Sequence, residues 1–196
     1  IVADSGRRDE AEKLFKEALI TNRKLAGANP SVYLPDVANT LTNLGALIVA
    51  DNGRRDEAEK LFKEALAAYR ELTKANPAVY LPDVAMTLHN LGVLVAANSS
   101  RRDEAEKLYQ EALTIRRELS NANPTVYLPD VAYTLGALGY SYLNWGQPWK
   151  AIPYLQEACE HLTSFSKHAP QVFDEKLAII KQQLQLAKSK NKLVIV

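Results

Sequence analysis

Three histidines, one cysteine and a dense set of carboxylates are the side chains in this 196-residue sequence best suited to acid–base, nucleophilic or metal chemistry. His161 and His168 stand near Cys159, a combination that could ligate a soft metal or activate a thiolate, but no spacing there matches a metal site. A buried thiol and two surface imidazoles are the expectation. His89 stands alone and reads as a solvent-facing or ligand-contacting polar residue rather than a base. Trp145 and Trp149 could stack on a nucleobase, yet they flank a turn and are expected to plug an interface between helices. The carboxylates sit beside lysines on one side of each helix, which makes them a solvated face rather than an acid–base couple. No glycine-rich phosphate loop, G-x-S-x-G elbow or metal motif occurs. The residues therefore point away from catalysis, with no cofactor and no metal.

What organises the chain is recurrence. The stretch Arg54-Arg55-Asp56-Glu57-Ala58-Glu59-Lys60-Leu61-Phe62-Lys63-Glu64-Ala65-Leu66 occurs letter for letter from Arg7 and with two changes from Arg101. The spacing is 47 residues in both cases, and a period between about 20 and 50 residues marks stacked supersecondary units. Ala58, Leu61, Phe62, Ala65, Leu66, Tyr69 and Leu72 recur at three- and four-residue spacing, which places them on one side of a helix, here termed B-type. Asp56 and Glu57 complement its N-terminal dipole. Glu59 precedes Lys63 by four, the order that supports a helix.

A second block, Val32-Tyr33-Leu34-Pro35-Asp36-Val37-Ala38, repeats from Val79 and Val126. Pro35, Pro82 and Pro129 are each expected to open a helix, termed A-type, because a missing N–H costs nothing in a first turn. Each unit is then a helical hairpin whose apolar stripes need neighbours to cover them. B-type helices are expected over about 8–26, 55–75 and 102–121, and A-type helices over about 34–50, 81–97 and from near 128. Asn29-Pro30 breaks the first B-type helix. Pro148 opens a last B-type helix over 148–167, and Pro153 is expected to kink it or delay its start.

The array thus covers 1–169. It begins with a partial unit over 1–6, where Ile1-Val2-Ala3-Asp4 copies Ile48-Val49-Ala50-Asp51 at the end of an A-type helix, as in a fragment of a longer array. A capping helix is expected over 170–190 from Phe173, Leu177, Ile180, Leu184 and Ala187. The apolar tail 191–196, with Leu193-Val194-Ile195-Val196, is left with three open roles: packing on the cap, binding a neighbouring molecule, or disorder.

The balance of 24 basic against 23 acidic residues, a net charge of +1, leaves no electrostatic footprint for nucleic acid or an anionic membrane. The Arg pairs at Arg7, Arg54 and Arg101 are each followed by acids and are expected to dress the hairpin turn. One cysteine excludes an internal disulfide framework. No run approaches the eighteen or so apolar residues that span a bilayer, so the expectation is a soluble, cytoplasmic protein.

Leu41-x-x-Leu44-Gly45-x-x-Ile48 followed by Ala58-x₃-Phe62 resembles the tetratricopeptide signature. It recurs as Leu88, Leu91, Gly92, Val95, Ala105 and Tyr109, and as Leu135, Leu138, Gly139, Tyr142, Ala151 and Leu155. Leucine stands where that family has tryptophan, and the unit is longer than the family's usual 34 or so residues, the excess falling in the B-type helix and the Asn-Pro-x-Val-Tyr-Leu-Pro connector. Thr-Leu-x-Asn-Leu-Gly within long units resembles the repeats of kinesin light chains and bacterial tetratricopeptide proteins. The resemblance implies an all-α fold, a right-handed α-α superhelix or solenoid of helical hairpins with a C-terminal capping helix.

Comparing the near-identical units locates a variable stripe. The B-type helices barely differ over thirteen residues, whereas the A-type helices differ at Asn39/Met86/Tyr133, Thr42/His89/Gly136, Ala46/Val93/Tyr140 and Val49/Ala96/Leu143. At about 100° per residue these positions oppose Leu41, Leu44, Gly45 and Ile48. Asn43, Asn90 and Ala137 flank them. In the family that side lines the concave groove, so the resemblance implies that a peptide or partner helix lies across Asn39, Thr42, Asn43, Ala46, Met86, His89, Asn90, Val93, Tyr133, Ala137, Tyr140 and Leu143. Several of these are apolar, so either a ligand covers them or the cap and tail do. The groove lacks the Lys and Arg by which family members hold acidic chaperone tails.

The leading functional reading is a non-enzymatic module that binds a protein or peptide. One alternative is a self-assembling array, through the groove or the C-terminal tail. The other is the sensor or regulatory arm of a larger multidomain enzyme.

Overall fold

The computed structural model describes the backbone of residues 2–49 and 52–194 and the side chains of 6–49 and 53–192. Among the described residues there are eight α-helices, two single 3₁₀ turns and no strand. The chain falls into two compact units, Ile1–Val95 and Ala96–Val196. The first holds α1 (Val2–Ala28), α2 (Pro30–Ile48), a 3₁₀ turn (Asn52–Arg54), α3 (Arg55–Ala75) and α4 (Pro77–Ala96, whose last residue belongs to the second unit). The second holds a 3₁₀ turn (Ser99–Arg101), α5 (Arg102–Ala122), α6 (Pro124–Asn144), α7 (Pro148–His168) and α8 (Pro170–Val194). Within them α1 packs on α2, α2 on α3, α5 on α6, α6 on α7 and α7 on α8, the all-helical hairpin stack that the period predicts.

The helix starts are where sequence reasoning misplaced a boundary. Pro30, Pro77 and Pro124 open α2, α4 and α6, and Pro35, Pro82 and Pro129 lie inside them, five residues further on. The apparent connector is helical, and each B-to-A junction shrinks to one residue: Asn29, Asn76 or Asn123. Each has φ near −143° and ψ near 80° and sends its N–H back to the carbonyl four residues earlier. The Asn carbonyl then accepts from the third and fourth residues of the next helix, so one residue closes one helix and starts another. The long period is therefore accommodated by longer helices rather than longer loops. Pro153 likewise sits five residues after Pro148, and α7 begins at Pro148 without delay.

The partial unit also differs from expectation. Residues 2–6 run straight into α1 instead of ending an A-type helix, while Asn52–Arg54, the copy of Ser5-Gly6-Arg7, forms a 3₁₀ turn. That turn connects α2 to α3; the copy has no described A-type helix to connect. Of the tail, Ile195 and Val196 lie outside the described residues, as do the side chains of Leu193 and Val194.

Glycine spacing explains the core. A Cβ on Gly45 of α2 would stand 3.0 Å from the Phe62 ring of α3, and one on Gly139 of α6 would stand 2.6 Å from Leu155 Cγ of α7. The A-type helix thus supplies a gap and the following B-type helix a large side chain to fill it. Phe62 and Leu155 are buried, with Ala58 and Ala151 fully enclosed beside them. α4 is apolar and long enough to cross a bilayer by length and composition. Its Val84, Ala85, Leu88, Leu91 and Val95 are instead buried within the protein, which is where a core helix places them.

Polar ties recur with the same period. In the first unit Asn22 of α1 donates to Thr40 of α2 (3.2 Å), and in the second Arg116 of α5 donates to the Asp130 carbonyl (2.7 Å) and to Thr134 of α6. Tyr69 occupies the matching place on α3; burial, with Asp83 nearby, pushes its phenol up to about 12. On the outer side Arg23 pairs with Glu64 (2.5 Å) and Arg117 with Glu157 (2.6 Å), linking α1 to α3 and α5 to α7. The turn arginines do more than dress their turn. Arg54 holds Glu57 (2.8 Å) and reaches Glu12 of α1 through both terminal nitrogens (2.6 and 2.7 Å). Hydrogen bonds from Arg54 and then from Lys16 hold the Glu12 carboxyl at about 2.

Candidate interaction surface

The variable stripe of the first unit lies on α2 and α4. Asn39, Asn43 and Ala46 are exposed on one side of α2, opposite the buried Leu41, Leu44 and Ile48. The Asn43 amide donates to the Asn39 side-chain oxygen (2.8 Å), so two carboxamides stand as a short ladder along the helix, with further donor and acceptor capacity. Thr42 does not join them. It is buried, donates to the Ala38 carbonyl (2.9 Å) and lies against the Tyr69 hydroxyl of α3, so it belongs to the helix interface. On α4, Met86 and Val93 are exposed, while His89 and Asn90 are half-buried.

The corresponding stripe of the second unit, on α6, is partly covered. Tyr133 and Ala137 are half-buried and Tyr140 is 50% exposed. Lys176 of α8 donates to the Tyr133 hydroxyl (3.0 Å), and its ammonium lies 4.6 Å from the ring centroid, a cation–π contact. A Cβ on Gly136 would meet Ile180 of α8 at 3.0 Å, so this glycine lets the terminal helix close on α6. Leu143 is buried and is not part of an open surface. The geometry therefore divides the two possible covers. The cap shields Tyr133 and Gly136, and Met86, Val93 and Tyr140 stay open.

What sequence reasoning missed is a second apolar stripe on α8. Its Leu177, Ile180 and Ala187 are buried as the cap stripe requires, and Phe173 and Leu184 are half-buried. A second stripe, Val172, Ile179 and Leu186, is exposed. Contacts 133 to 176 and 136 to 180 advance in the same direction, so α6 and α8 run parallel. The seven-residue spacing of the second stripe was the available signal.

Trp145 is buried, donates to the Ala96 carbonyl (3.2 Å) and meets Tyr142 edge-on, plugging an interface as expected. Trp149 is 49% exposed and plugs nothing. Cys159 is half-buried rather than buried, and burial pushes its thiol up, away from the nucleophilic thiolate. His161 is half-buried and lies 3.6 Å from Glu157, and exposed His168 shares a hydrogen bond between Nδ1 and the Ser164 carbonyl (2.8 Å). Both line a cleft of about 560 Å³ in the second unit, walled by Pro124, Leu128 and Phe165.

Comparison with known families agrees with this architecture. A family model described as tetratricopeptide repeat matches residues 36–118 and again 83–164, and a second model of the same description matches 2–31. No curated protein matches the chain. Such repeats generally bind other proteins rather than catalyse reactions. The matched segments span most of the sequence and coincide with the hairpins, and the chain belongs to the tetratricopeptide repeat family.

Proposed function

We propose that this protein is a non-enzymatic interaction module that holds an extended peptide or a partner helix against the open face of its A-type helices. One observation carries the reading. The side chains that differ among otherwise near-identical units include those left exposed on α2, α4 and α6, whereas the shared Leu, Ala and Gly positions are buried. A scaffold that only needed to stack would have no reason to vary Asn39 to Met86, or Ala46 to Val93 and Tyr140. The Asn39–Asn43 ladder suits a peptide backbone, which both donates and accepts. Met86, Val93 and Tyr140 suit apolar anchors. None of α2, α4 and α6 carries a Lys or Arg, which disfavours capture of an acidic tail.

The test is a binding measurement with a peptide selected from a display library on the intact chain. Met86→Ala and Asn43→Ala, both in the first unit, are each expected to weaken it by roughly tenfold, about 1.4 kcal/mol, with the thermal melt unchanged. Affinity that neither alters would refute the assignment of this face.

A further inference from the structure

We propose that the exposed face of α8 is a self-association seam, on which two copies of this chain pair through antiparallel terminal helices. Val172, Ile179 and Leu186 are 53%, 47% and 46% exposed and lie seven residues apart, nearly in line along the helix. They point away from Leu177, Ile180 and Ala187, which are spent on packing within the unit. The occupant follows from the order of the residues around that line. A twofold axis midway between Gln182 and Gln183 sets Ile179 level with Leu186 of the second copy, and Glu175 level with Lys190. Gln182 then meets its neighbour's amides at the centre. Each pairing occurs twice, as a twofold interface demands.

Charge complementarity selects this arrangement. Glu175 and Lys190 are exposed and make no ion pair or hydrogen bond within the described residues, so both are available across the seam. Lys176, the neighbouring cation, is instead engaged by Tyr133 and stays clear. A parallel pair would set Glu175 against Glu175 and Lys190 against Lys190, like charges at one level, which is unfavourable.

The seam is independent of the peptide-binding reading, since its test measures mass rather than ligand affinity. Sedimentation equilibrium over a wide concentration range should give a reversible monomer–dimer equilibrium. Glu175→Lys and Lys190→Glu should each weaken it by roughly tenfold, and the double swap should restore it, which no loss of folding could imitate. In a Cys159→Ser background, mixing Ile179→Cys and Leu186→Cys chains should yield a disulfide-linked heterodimer, and neither should link to itself, because like positions lie beyond disulfide reach. A chain that remains monomeric throughout, a dimer indifferent to the charge reversals, or self-linking of the single-cysteine chains would each overturn the proposal.

Discussion

α1 and α3 share twelve consecutive identical residues, 8–19 and 55–66, and meet different surroundings. In α3, Ala58, Phe62 and Ala65 are 0%, 1% and 0% exposed; in α1 their copies Ala11 and Phe15 are half-buried and Ala18 is exposed. Leu66 and its copy Leu19 are equally buried, both at 6%. The B-type helix therefore has two apolar edges. One, led by Phe62, fills the gap that Gly45 leaves in the preceding A-type helix; the other holds Leu66, and Tyr69 beyond it touches Thr42 of α2 and has Asp83 and Tyr80 of α4 nearby. Among the described residues α1 has a partner only on the second edge. Identical chemistry thus carries different energy according to what stands beside it, because transfer from water and filling of a gap both require the neighbour.

The strongest way to break this comparison is truncation at the matched aromatics. Phe62→Ala should cost about 3–5 kcal/mol, because a fully enclosed ring leaves a cavity. Phe15→Ala should cost clearly less, under about 2 kcal/mol, because water replaces part of what is removed. Denaturant titration of the two variants would decide, and equal losses would mean that α1 is covered in solution.

Glycines sharpen the same point. Gly139→Ala would place a methyl 2.6 Å from Leu155, which is fully buried and has little room to move, so a net loss of about 1–2 kcal/mol is expected even after the gain in helix propensity. Gly27 in α1 has nothing within 4 Å of an added Cβ. Gly27→Ala should therefore stabilise, by up to about 1 kcal/mol. The two shifts should have opposite signs in thermal melts.

The smallest effect concerns the tie between the two helices. The Glu12 carboxyl lies at about 2 in the folded chain against an ordinary 4.5, so its contribution is fully present above about pH 4.5 and is lost as pH falls toward 2. Arg54→Ala removes the main cause. Acid titration followed by circular dichroism should place the unfolding midpoint of that variant at a higher pH than that of the parent, with little change near neutrality.

How much of this was legible beforehand depended on the kind of signal. B-type boundaries at Arg55 and Arg102 were readable, since acidic first turns and three-to-four spacing are local properties. The starts of α2, α4 and α6 were not. Pro35 looked like an opening residue, and only the structure shows that Pro30 opens the helix and that Asn29 alone serves as the joint. On the candidate face, periodicity separated Asn39, Asn43 and Ala46 from the core correctly, yet it placed Thr42 and Leu143 in the open, and both are buried. An angular position identifies one side of a helix. It does not say whether Tyr69 stands against it.

The residue order by itself determined the repeating hairpin and the apolar stripe of each helix, because both follow from spacing along one helix or from exact recurrence. The tertiary structure alone decided which of the variable side chains remain in water, that α8 shields Tyr133 and Gly136 while leaving Tyr140 open, and that α8 keeps a second apolar line free. The physical reason is that burial is a property of pairs of surfaces, and a sequence states only one member of each pair.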